Sequence, residues 1–370
     1  METKKYRFDE VTINFDKKRI PLSSAQREKR QGTFRYYGAQ GVIDHVDDYI
    51  FDGTYLLIAE DGENLKSKKQ NIAQVVDGQF WVNNHAHIVQ GNEQCDTRFL
   101  CYLINSMDLS GYVTGSAQPK LSQANLNAVT LSLPTLAEQK RIVEYLYMLD
   151  QKIDVNRQIN DNLQQQAMSL YAEMFLNSSD SNVTSGTLSD IAVITMGQSP
   201  SGSSYNEDGV GEVFYQGRAE FGFRFPKRRL FTTEPKRMAE AGDVLLSVRA
   251  PVGDLNIAYE RCCIGRGLGA IHSKTGHSSF VLYTMFALRS QLDIFNGEGT
   301  VFGSINRDAL NAIPIDIPPV TEIDQFEVVA HPIDELIRAN YEENCRLEAI
   351  RDSLLPKLMS GEIDISAVQL

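Results

Sequence analysis

With 370 residues, of which 42% are hydrophobic, the chain has the composition of a folded protein with two, or more loosely three, domains. Its net charge of −12 argues against a simple DNA-binding protein, because neutralising phosphates requires Lys and Arg. No apolar run approaches the roughly 20 residues that span a bilayer, and no apolar stretch follows the start, so we expect neither a membrane protein nor a secreted one. The five cysteines form no CxxC motif and no metal-binding spacing, as expected of reduced thiols in the cytoplasm.

The charge is unevenly distributed along the chain. Residues 1–36 contain ten Lys or Arg and five Asp or Glu, and residues 213–237 contain seven and two. Residues 322–364 contain four basic and eleven acidic residues. A charged run is by itself more often a solvated face, but two basic stretches in comparable halves of the chain favour a recognition role.

Taken in chain order, the sequence predicts four segments. Residues 1–134 carry short apolar runs between Gly and Asp turns, which indicates a mixed, strand-rich domain. Residues 135–176 contain no glycine or proline and predict one long helix. A polar linker, 177–186, opens a second strand-rich domain, 177–318, and residues 319–370 form a second helix with a short tail. The predicted class is α+β, with two similar mixed α/β domains separated by two long helices.

The second half repeats part of the first. Residues 115–175 align without a gap on residues 299–359, at an offset of 184. A period this long indicates a duplicated domain, because the units of solenoid proteins run to roughly 20–50 residues. Two copies of a domain with a long helix hold similar surfaces at a fixed separation. This favours recognition of something extended and roughly two-fold, with DNA as the leading candidate.

Both helices carry a heptad seam, in which apolar residues recur at alternating intervals of four and three. Such a seam, sustained over more than four heptads, predicts a coiled coil. In the first helix it comprises Ile142, Leu146, Leu149, Ile153, Asn156, Asn160, Leu163, Ala167, Leu170 and Met174. In the second it comprises Phe326, Ala330, Ile333, Ile337, Asn340, Asn344, Leu347, Arg351, Leu354 and Leu358. Because proline disrupts a helix interior, we expect a break near Ala330 and a restart with Pro332 in the first turn.

Two asparagines in each seam indicate the orientation of the helices. A buried amide that faced Leu would lack a partner, at a cost of about 1–3 kcal/mol. Antiparallel packing would place Asn156 opposite Asn344 and Asn160 opposite Asn340. The alternative is that the asparagines face solvent. A helix of about 35 residues is about 50 Å long, enough to separate two DNA-reading domains by one duplex turn of about 34 Å.

Two turns, one in each half, combine aromatic, amide and glycine residues: Tyr36-Tyr37-Gly38-Ala39-Gln40-Gly41 and Phe214-Tyr215-Gln216-Gly217-Arg218. Amide side chains can bind adenine edges, and arginine can bind guanine. Each stretch is by itself more often a plain turn, but its occurrence in both halves favours recognition. The candidate DNA contacts from these turns are Tyr36, Tyr37, Gln40, Tyr215, Gln216 and Arg218.

One histidine cluster, Asn83-Asn84-His85-Ala86-His87, lies in the first half. Two histidines at i and i+2 of a strand share a face and could hold a metal ion, but no third ligand is recognisable. A structural hydrogen-bonding role, a contact to a base or phosphate, and a metal site stay open, in that order of preference. Asn83, Asn84 and His85 join the candidate DNA contacts.

The repeated stretch begins with two short predicted helices, for which Ser122 and Asn306 are the N-caps. The exposed N–H groups at such an end favour a phosphate, so Lys120 and Ser122 are candidate contacts, although capping alone also explains them. Gly265-Arg266-Gly267-Leu268-Gly269 lacks nucleotide-binding spacing and predicts a strand bend or a close approach to the backbone of a ligand. The remaining basic candidates are Lys227, Arg228, Arg249, Arg266 and Arg307.

Signatures of catalysis are absent from the sequence. It contains no GxxxxGK[ST], no [DN]PP[YF] and no HExxH motif. Glu138-Gln139-Lys140 resembles half of a nuclease site, but it lies in a predicted first helical turn, where an acid suits the helix dipole. Its counterpart Glu322-Ile323-Asp324 lacks the lysine. None of these motifs indicates catalysis, a metal site or a bound cofactor in this chain.

The sequence resembles the specificity subunits of type I restriction–modification systems over essentially its whole length. The first matching motifs are Tyr36-Tyr37-Gly38-Ala39-Gln40-Gly41, Val82-Asn83-Asn84-His85-Ala86-His87 and Gln118-Pro119-Lys120-Leu121-Ser122-Gln123. The others start the first helix, Leu133-Pro134-Thr135-Leu136-Ala137-Glu138-Gln139-Lys140-Arg141-Ile142-Val143, and end the second, Leu354-Leu355-Pro356-Lys357-Leu358-Met359-Ser360-Gly361-Glu362-Ile363. The second half departs from Gln-Pro-Lys-Leu-Ser at Val301-Phe302-Gly303-Ser304-Ile305-Asn306, so a contact of the Lys120 type is not expected there.

The resemblance implies two target-recognition domains, 1–134 and 177–318, each reading one part of a bipartite double-stranded DNA target. The spacer helices, 135–176 and 319–370 with its tail, would form an antiparallel coiled coil that sets their separation. Two modification subunits, which carry S-adenosylmethionine and methylate adenine, would dock along the helices, and restriction subunits would join them. The chain itself would supply specificity without catalysis.

Two other classes stay open. One is an accessory DNA-recognition module of a type II-like methyltransferase–nuclease, which differs in its partner. The other is a coiled-coil scaffold that binds no DNA. The sequence predicts neither the DNA target nor the half-site that each domain reads, because base readout depends on loop geometry and on DNA shape.

Overall fold

The computed structural model describes residues 2–115, 118–177, 183–297 and 303–363. The chain forms two compact units. Unit 1 comprises the described residues of Met1–Val155 and Glu343–Leu370, and unit 2 those of Asn156–Glu342. Each unit therefore combines one strand-rich region with a segment from each of the two long helices.

Unit 1 contains two four-stranded sheets and one two-stranded pair. Its strands are β1 (Lys4–Arg7), β2 (Thr12–Asn14), β3 (Gln31–Gly38), β4 (Gly41–Val46), β5 (Phe51–Asp52), β6 (Tyr55–Ala59), β7 (Ala73–Val76), β8 (Gln79–Val82), β9 (Ala86–Gly91) and β10 (Thr130–Leu133). Its helices are α1 (Ser24–Glu28), α2 (Asn64–Ser67), α3 (Thr97–Ser106), α4 (Gln123–Asn127) and the first part of α5 (Leu136–Tyr171). The sheet orders are β2-β9-β6-β7 and β4-β3-β8-β5, and β1 pairs with β10.

The core of unit 1 lies between the first sheet and α3. Strand β6 is a continuous apolar run, and its Leu56 and Ile58 are fully buried against the apolar face of α3, which includes Phe99 and Leu103. Asp96 caps α3 by accepting hydrogen bonds from the first-turn N–H groups. The second sheet has its own aromatic core, in which Phe51 stacks on Phe80 with ring centroids 5.4 Å apart.

Unit 2 contains a four-stranded sheet, a five-stranded sheet and one two-stranded pair. Its strands are β11 (Thr184–Thr187), β12 (Ala192–Met196), β13 (Tyr205–Asn206), β14 (Glu212–Tyr215), β15 (Phe231–Thr232), β16 (Met238–Ala239), β17 (Val244–Ser247), β18 (Leu255–Ile257), β19 (Cys262–Ile264), β20 (Leu268–Ser273) and β21 (Pro314–Ile317). Its helices are α6 (Leu188–Ile191), α7 (Ser278–Ala287), α8 (Arg289–Asp293), α9 (Arg307–Asn311), the end of α5 and most of α10 (Val320–Ser360). The sheet orders are β12-β20-β17-β18 and β13-β15-β14-β19-β16, and β11 pairs with β21.

The two units share one topology. In each, a four-stranded antiparallel sheet is covered by a ten-residue helix, and a second sheet is built around one parallel strand pair. The parallel pair is β3–β8 in unit 1 and β14–β19 in unit 2. Two mixed α/β domains were predicted from the sequence, and the architecture agrees with that prediction.

The long helices confirm one expectation and correct another. Helix α5 ends at Tyr171 and continues as a π-helical turn, Ala172–Leu176, so residues 136–176 are helical as predicted. The predicted break near Ala330 is wrong, because α10 runs without interruption from Val320 to Ser360. Pro332 removes one backbone hydrogen bond and crowds the carbonyl of Val328, but both residues are exposed, so water can satisfy that carbonyl.

In unit 2, the long-helix segments meet through asparagine. The Nδ2 atom of Asn340 donates to Oδ1 of Asn160 at 2.8 Å, and Asn160 Nδ2 donates to the Ile337 carbonyl at 3.3 Å. Asn160 is buried, so a leucine in its place would leave the Asn340 amide without this partner. The structure thus contains the Asn160–Asn340 pair of the antiparallel register. The Asn156–Asn344 pairing stays a prediction.

In unit 1, the long-helix segments run antiparallel as well. Asn344 Nδ2 donates to the Ile153 carbonyl at 3.4 Å, and Arg351 Nη1 lies 2.8 Å from Asp150 Oδ1. The earlier residue of α5 pairs with the later residue of α10, which defines the antiparallel direction. Tyr102 of α3 donates to the same carboxylate at 2.5 Å, so Asp150 joins the helix pair to the strand-rich region.

The polar stretch 177–186, predicted as a linker, is in part a strand. Residues 178–182 lie outside the described part of the chain, but Thr184–Thr187 forms β11 and pairs antiparallel with Pro314–Ile317. A Cβ atom on Gly186 would lie 2.5 Å from Cδ1 of Ile317, so the glycine permits this close pairing. Composition alone indicated a loop because Thr, Ser and Gly are frequent in turns.

Candidate nucleic-acid interface

In unit 1, three connections and the segment before α4 meet at one end of the sheets. The N–H of Asn83 donates to the carbonyl of Tyr37, which joins the ends of β8 and β3. The N–H of Glu60 donates to the carbonyl of His85, and the N–H of Leu121 donates to the carbonyl of Glu60. We call this set of segments loop cluster 1: Gly38–Gly41, Glu60–Gly62, Asn83–His85 and Pro119–Ser122.

Unit 2 contains the same backbone arrangement. The N–H of Gly265 donates to the carbonyl of Tyr215. The N–H of Val248 donates to the carbonyl of Gly267, and the N–H of Ile305 donates to the carbonyl of Val248. We call the equivalent set loop cluster 2: Gln216–Gly217, Val248–Ala250, Gly265–Gly267 and Gly303–Asn306. These three hydrogen bonds correspond one to one with those of loop cluster 1.

Strand register fixes which residues are equivalent. Ala59 pairs with Ala86 in unit 1, and Ser247 pairs with Leu268 in unit 2. Ala59 is therefore equivalent to Ser247 and Ala86 to Leu268, and the neighbouring residues along each strand correspond in the same way. An isolated antiparallel bridge joins Asp61 to Lys120 in unit 1, and Arg249 to Ser304 in unit 2. The equivalent pairs are Asp16/Met196, Glu60/Val248, Asp61/Arg249, Asn84/Arg266, His87/Gly269, Lys120/Ser304 and Ser122/Asn306.

Loop clusters 1 and 2 collect many of the predicted contact residues. In unit 1 they are Gln40, Asn83, Asn84, His85, Lys120 and Ser122, and in unit 2 they are Gln216, Arg249 and Arg266, with Arg307 one residue beyond. Among them, Gln40, Asn84, His85, Lys120, Gln216, Arg249, Arg266 and Arg307 are exposed. Asn83 is buried, and its Oδ1 accepts the N–H of His85, so it shapes the connection rather than facing solvent.

Three predicted aromatic contacts lie in the core instead. Tyr36 is fully buried, and its hydroxyl accepts the N–H of Leu22 at 2.9 Å. Tyr37 and Tyr215 are also buried, as the last inward-facing residues of the equivalent strands β3 and β14. The sequence argument assigned them to a turn, whereas the strands extend through them. The backbone carbonyls of Tyr37 and Tyr215 accept hydrogen bonds from the loop clusters, whereas the side chains pack in the core.

The basic stretch of unit 2 is largely ion-paired. Arg218 pairs with Asp254, and Arg228 pairs with Glu260. Arg229 bridges Glu207 and Glu220. All three arginines are exposed, and apart from the buried Glu220 their partners are at least partly exposed. Ion pairs exposed to solvent contribute only about 0–1 kcal/mol each, so a phosphate could compete for these cations, but their local charge is already balanced. Lys227 is exposed and lies outside loop cluster 2.

Loop cluster 1 covers a buried ionic network. His87 Nδ1 lies 2.6 Å from Asp16 Oδ2, and its Nε2 lies 2.8 Å from the carbonyl of Leu121. Both partners are acceptors, so both ring nitrogens donate and the imidazole is held as a cation. Arg19 contacts Asp16 and Glu60, and the exposed Lys120 lies 3.2 Å from Glu60. This structural role of His87 agrees with the preferred interpretation of the histidine cluster.

The network shifts the pKa values of His87, Asp16 and Glu60 toward their charged forms. Burial by itself would lower the pKa of His87, but the hydrogen bonds to Asp16 and Leu121 and the nearby carboxylates raise it. Burial by itself would raise the pKa of Asp16, yet the hydrogen bonds from His87 and the Ile88 N–H hold it below its ordinary value. The pKa of Glu60 is lowered in the same way, with Arg19 donating the principal hydrogen bond against the effect of burial.

Loop cluster 2 forms a cleft without this network. The cleft has a volume of about 710 Å³ and is lined by Met196, Val248, Arg249, Ala250, Arg266, Gly303, Ser304, Ile305 and Asn306. Every charged residue of the lining is an arginine. Among the described residues, neither Arg249 nor Arg266 forms a salt bridge or a side-chain hydrogen bond. The arrangement provides two exposed, uncompensated cations at the mouth of a concave surface.

The glycines of loop cluster 2 allow two segments of the chain to approach closely, whereas the predicted approach to a ligand backbone stays a prediction. A Cβ atom on Gly265 would lie 2.9 Å from Cα of Gln216, and one on Gly267 would lie 2.8 Å from the Gln216 carbonyl oxygen. The segment therefore presents Arg266 directly beside Gln216, two candidates that lie 50 residues apart in the sequence.

The predicted helix caps are confirmed. Ser122 Oγ accepts the N–H of Asn125 at 3.2 Å, and Asn306 Oδ1 accepts the N–H of Ala309 at 2.8 Å. Each side chain is thus used within the fold. The helices that follow have only five residues each, so the caps explain these positions without a phosphate.

The ionic partners in unit 1 were not found from the sequence. Asp16, Arg19 and Glu60 are scattered among other charged residues, and no local pattern distinguishes them. The 184-residue repeat begins at position 115, so it gives no correspondence for Asp61 and Arg249, whose equivalence follows from strand pairing. Within the described residues, no group of three or more His, Cys, Asp or Glu is arranged to hold a metal ion.

Comparison with known proteins identifies the family. Residues 2–165 and residues 180–344 each match the model of the type I restriction modification DNA specificity domain. The chain belongs to this family. Its function is recognition of a DNA target, in a subunit that is not itself an enzyme. The duplication inferred from the sequence agrees with two matches to one DNA specificity domain.

Two relatives of the DNA specificity family are informative. The MjaX type I restriction enzyme specificity subunit of Methanocaldococcus jannaschii is 32% identical over 72% of this chain and 68% of its own length. A type I restriction enzyme specificity subunit of Haemophilus influenzae, S.HindORF215P, is 25% identical over 94% of each chain. The solved S subunit of a type I system from M. genitalium shares the fold, with a TM-score of 0.60 at 16% identity over 97% of this chain and 96% of that one.

Proposed function

We propose that this chain reads a bipartite double-stranded DNA target and directs adenine methylation and restriction by partner subunits. Each of the predicted recognition domains, 1–134 and 177–318, would read one part of the target through its loop cluster. The observation that carries the proposal is the pair of loop clusters: one backbone frame, held by equivalent hydrogen bonds, presents different side chains in the two units. Two domains that recognise different DNA sequences need the same backbone arrangement but different side chains at the exposed positions.

The residues of the loop clusters supply suitable chemistry. Exposed amides such as Gln40 and Asn84 can bind an adenine edge, and Arg266 beside Gln216 can bind guanine or phosphate. Lys120, with 53% of its side chain exposed, can donate a hydrogen bond to the DNA while Glu60, 3.2 Å away, balances its charge. Buried Tyr37 and Tyr215 anchor the loops, which limits the conformational freedom lost on binding.

We propose that the modification subunits, two of them, dock on the spacer helices, and that they rather than this chain hold S-adenosylmethionine. Each unit has exposed apolar residues on these helices. Examples are Met148 and Val155 in unit 1, and Val328 and Leu336 in unit 2. Exposed apolar residues on one helix favour a protein partner. Restriction subunits would complete the assembly in the cytoplasm. In the described part of the chain, no helix is both long and apolar enough for a membrane span.

The test is methylome sequencing of a host without its own systems that expresses this chain with its modification subunit. We expect adenine methylation at a split motif, absent when this chain is omitted. A second strain carries Q216A, which should change the preferred bases in only one part of the motif, and a third strain carries N84A, which should change them in the other part. An absence of new methylation, with both proteins soluble and associated, would favour a scaffold over a specificity subunit.

A further inference from the structure

Equivalent positions of the two loop clusters carry different charges. In unit 1, the carboxylates are Asp16, Glu60 and Asp61. The cations Arg19, Lys120 and His87 contact Asp16 or Glu60. Three negative and three positive charges give a net charge of zero. Asp61 also accepts a hydrogen bond from His85 at 2.7 Å, so each carboxylate has a partner within the fold.

In unit 2, the same backbone positions hold no acid. Met196, Val248 and Ser304 replace Asp16, Glu60 and Lys120, and Gly269 replaces His87. Arg249 stands at the position of Asp61. The buried network is not repeated, because the positions of Asp16, Glu60 and His87 hold uncharged residues. With Arg266 at the position of Asn84, the described lining of the cleft has two positive charges and no negative one.

We propose that the cleft of unit 2 is the electrostatic anchor for DNA, with Arg249 and Arg266 binding backbone phosphates, whereas loop cluster 1 contributes no net phosphate neutralisation. This inference rests on the proposed function. It assigns the salt-dependent part of binding to one of two homologous sites. It also accounts for DNA binding by a chain of net charge −12, because the positive charge is placed locally.

Phosphate fits these arginines better than a guanine edge. Bidentate reading of a base requires a guanidinium held in a fixed plane by neighbouring side chains. Among the described residues, no side chain orients Arg249 or Arg266. Attraction to a phosphate needs only the charge and access to it, and both arginines are exposed at the mouth of the cleft. A flexible arginine can follow the backbone without specifying a base.

The experiment measures the affinity of the full chain, assembled with its modification subunits, for a duplex containing the methylated motif and for a scrambled duplex across a salt series. Each phosphate contact contributes about 0.9 to the slope of log affinity against log salt, so R249Q/R266Q should flatten the slope by about 1.8. Both duplexes should lose affinity alike. K120Q should leave the slope nearly unchanged, because Lys120 is already paired with Glu60.

Two matched variants sharpen the test. K4Q/K5Q removes the same charge from the exposed strand β1 and should leave the slope unchanged. D61R places an arginine at the unit 1 position equivalent to Arg249 and should steepen the slope by about 0.9. All the substituted side chains are exposed or partly exposed. The thermal unfolding temperature of each variant should therefore match that of the parent.

An unchanged slope in R249Q/R266Q, or an equal flattening in K120Q, would overturn the assignment. A loss confined to the motif duplex, with little change of slope, would show that the arginines read guanine instead. A wild-type complex that binds neither duplex would count against DNA recognition by this assembly. That failure is distinguishable, because it appears before any substitution is made.

Discussion

Arg224 is a buried cation whose removal should destabilise unit 2. It is 3% exposed, and its Nη1 lies 3.2 Å from Oδ1 of Asp334 on α10. Its Nη2 donates to the hydroxyl of Tyr283 at 3.3 Å, and that hydroxyl donates to the same carboxylate at 2.9 Å. The three side chains thus join the strand-rich region of unit 2 to α7 and α10. Arg224→Met keeps the apolar stem and removes the charge.

The magnitude follows from the uncompensated carboxylate that remains. Removing one partner of a buried ion pair costs about 3–5 kcal/mol. Among the described residues, Nε and Nη1 of Arg224 have no hydrogen-bond acceptor, so the native arrangement is itself incomplete and the loss should lie near 3 kcal/mol. Burial raises the pKa of Asp334, and loss of the Arg224 charge raises it further. A protonated carboxyl needs no neighbouring cation, so the stability lost in R224M should become smaller as pH falls toward the pKa of Asp334.

The assay is hydrogen exchange by mass spectrometry together with denaturant unfolding. Peptides of α7 should exchange faster in R224M, while the fluorescence of Trp81, the single tryptophan, reports unit 1 as a reference. The matched control is R351M in unit 1. There Arg351 and Asp150 retain about 28–29% side-chain exposure, and the expected loss is about 1 kcal/mol because solvent screens the pair.

A rescue variant separates charge compensation from general damage. Asp334→Asn replaces the carboxylate by a neutral side chain of similar size. R224M/D334N should therefore recover part of the lost stability, because no uncompensated carboxylate remains. The reasoning is refuted if R224M costs no more than R351M, or if R224M and D334N are additive in a double-mutant cycle.

Three further predictions concern the fold of the units. The pKa of His87 is raised in the folded state, so protonated His87 stabilises unit 1. This stabilisation is fully present below pH 6.5, the pKa of the unfolded state, and is lost as pH rises through the folded pKa. Unfolding followed by Trp81 fluorescence should show this loss of stability at alkaline pH in the parent but not in H87Q. N160L should destabilise unit 2 by about 1–3 kcal/mol because it leaves the Asn340 amide without its partner, and N160L/N340L should recover most of that in urea unfolding. S122A should cost about 1 kcal/mol through loss of the α4 cap, and S122D, which restores an acceptor, should cost less; equal losses would contradict the capping role.

Features carried by local pattern could be predicted from the sequence. The long helices follow from heptad periodicity and the absence of glycine, and the antiparallel register follows from the cost of burying an amide against leucine. The caps at Ser122 and Asn306 follow from short polar side chains before a helical stretch. The uninterrupted α10 could not be predicted, because tolerance of Pro332 depends on the carbonyl of Val328 facing solvent.

The sequence by itself determined the family, the duplication and the set of segments from which contacts would come. Only the tertiary structure decided which residues of those segments reach the surface, because Tyr37 and Gln40 differ in burial although they share one motif. It also decided the charge of each loop cluster. Asp16, Glu60 and His87 compensate one another only when strands distant in sequence are paired, so the neutral site of unit 1 and the positive site of unit 2 arise from tertiary contacts.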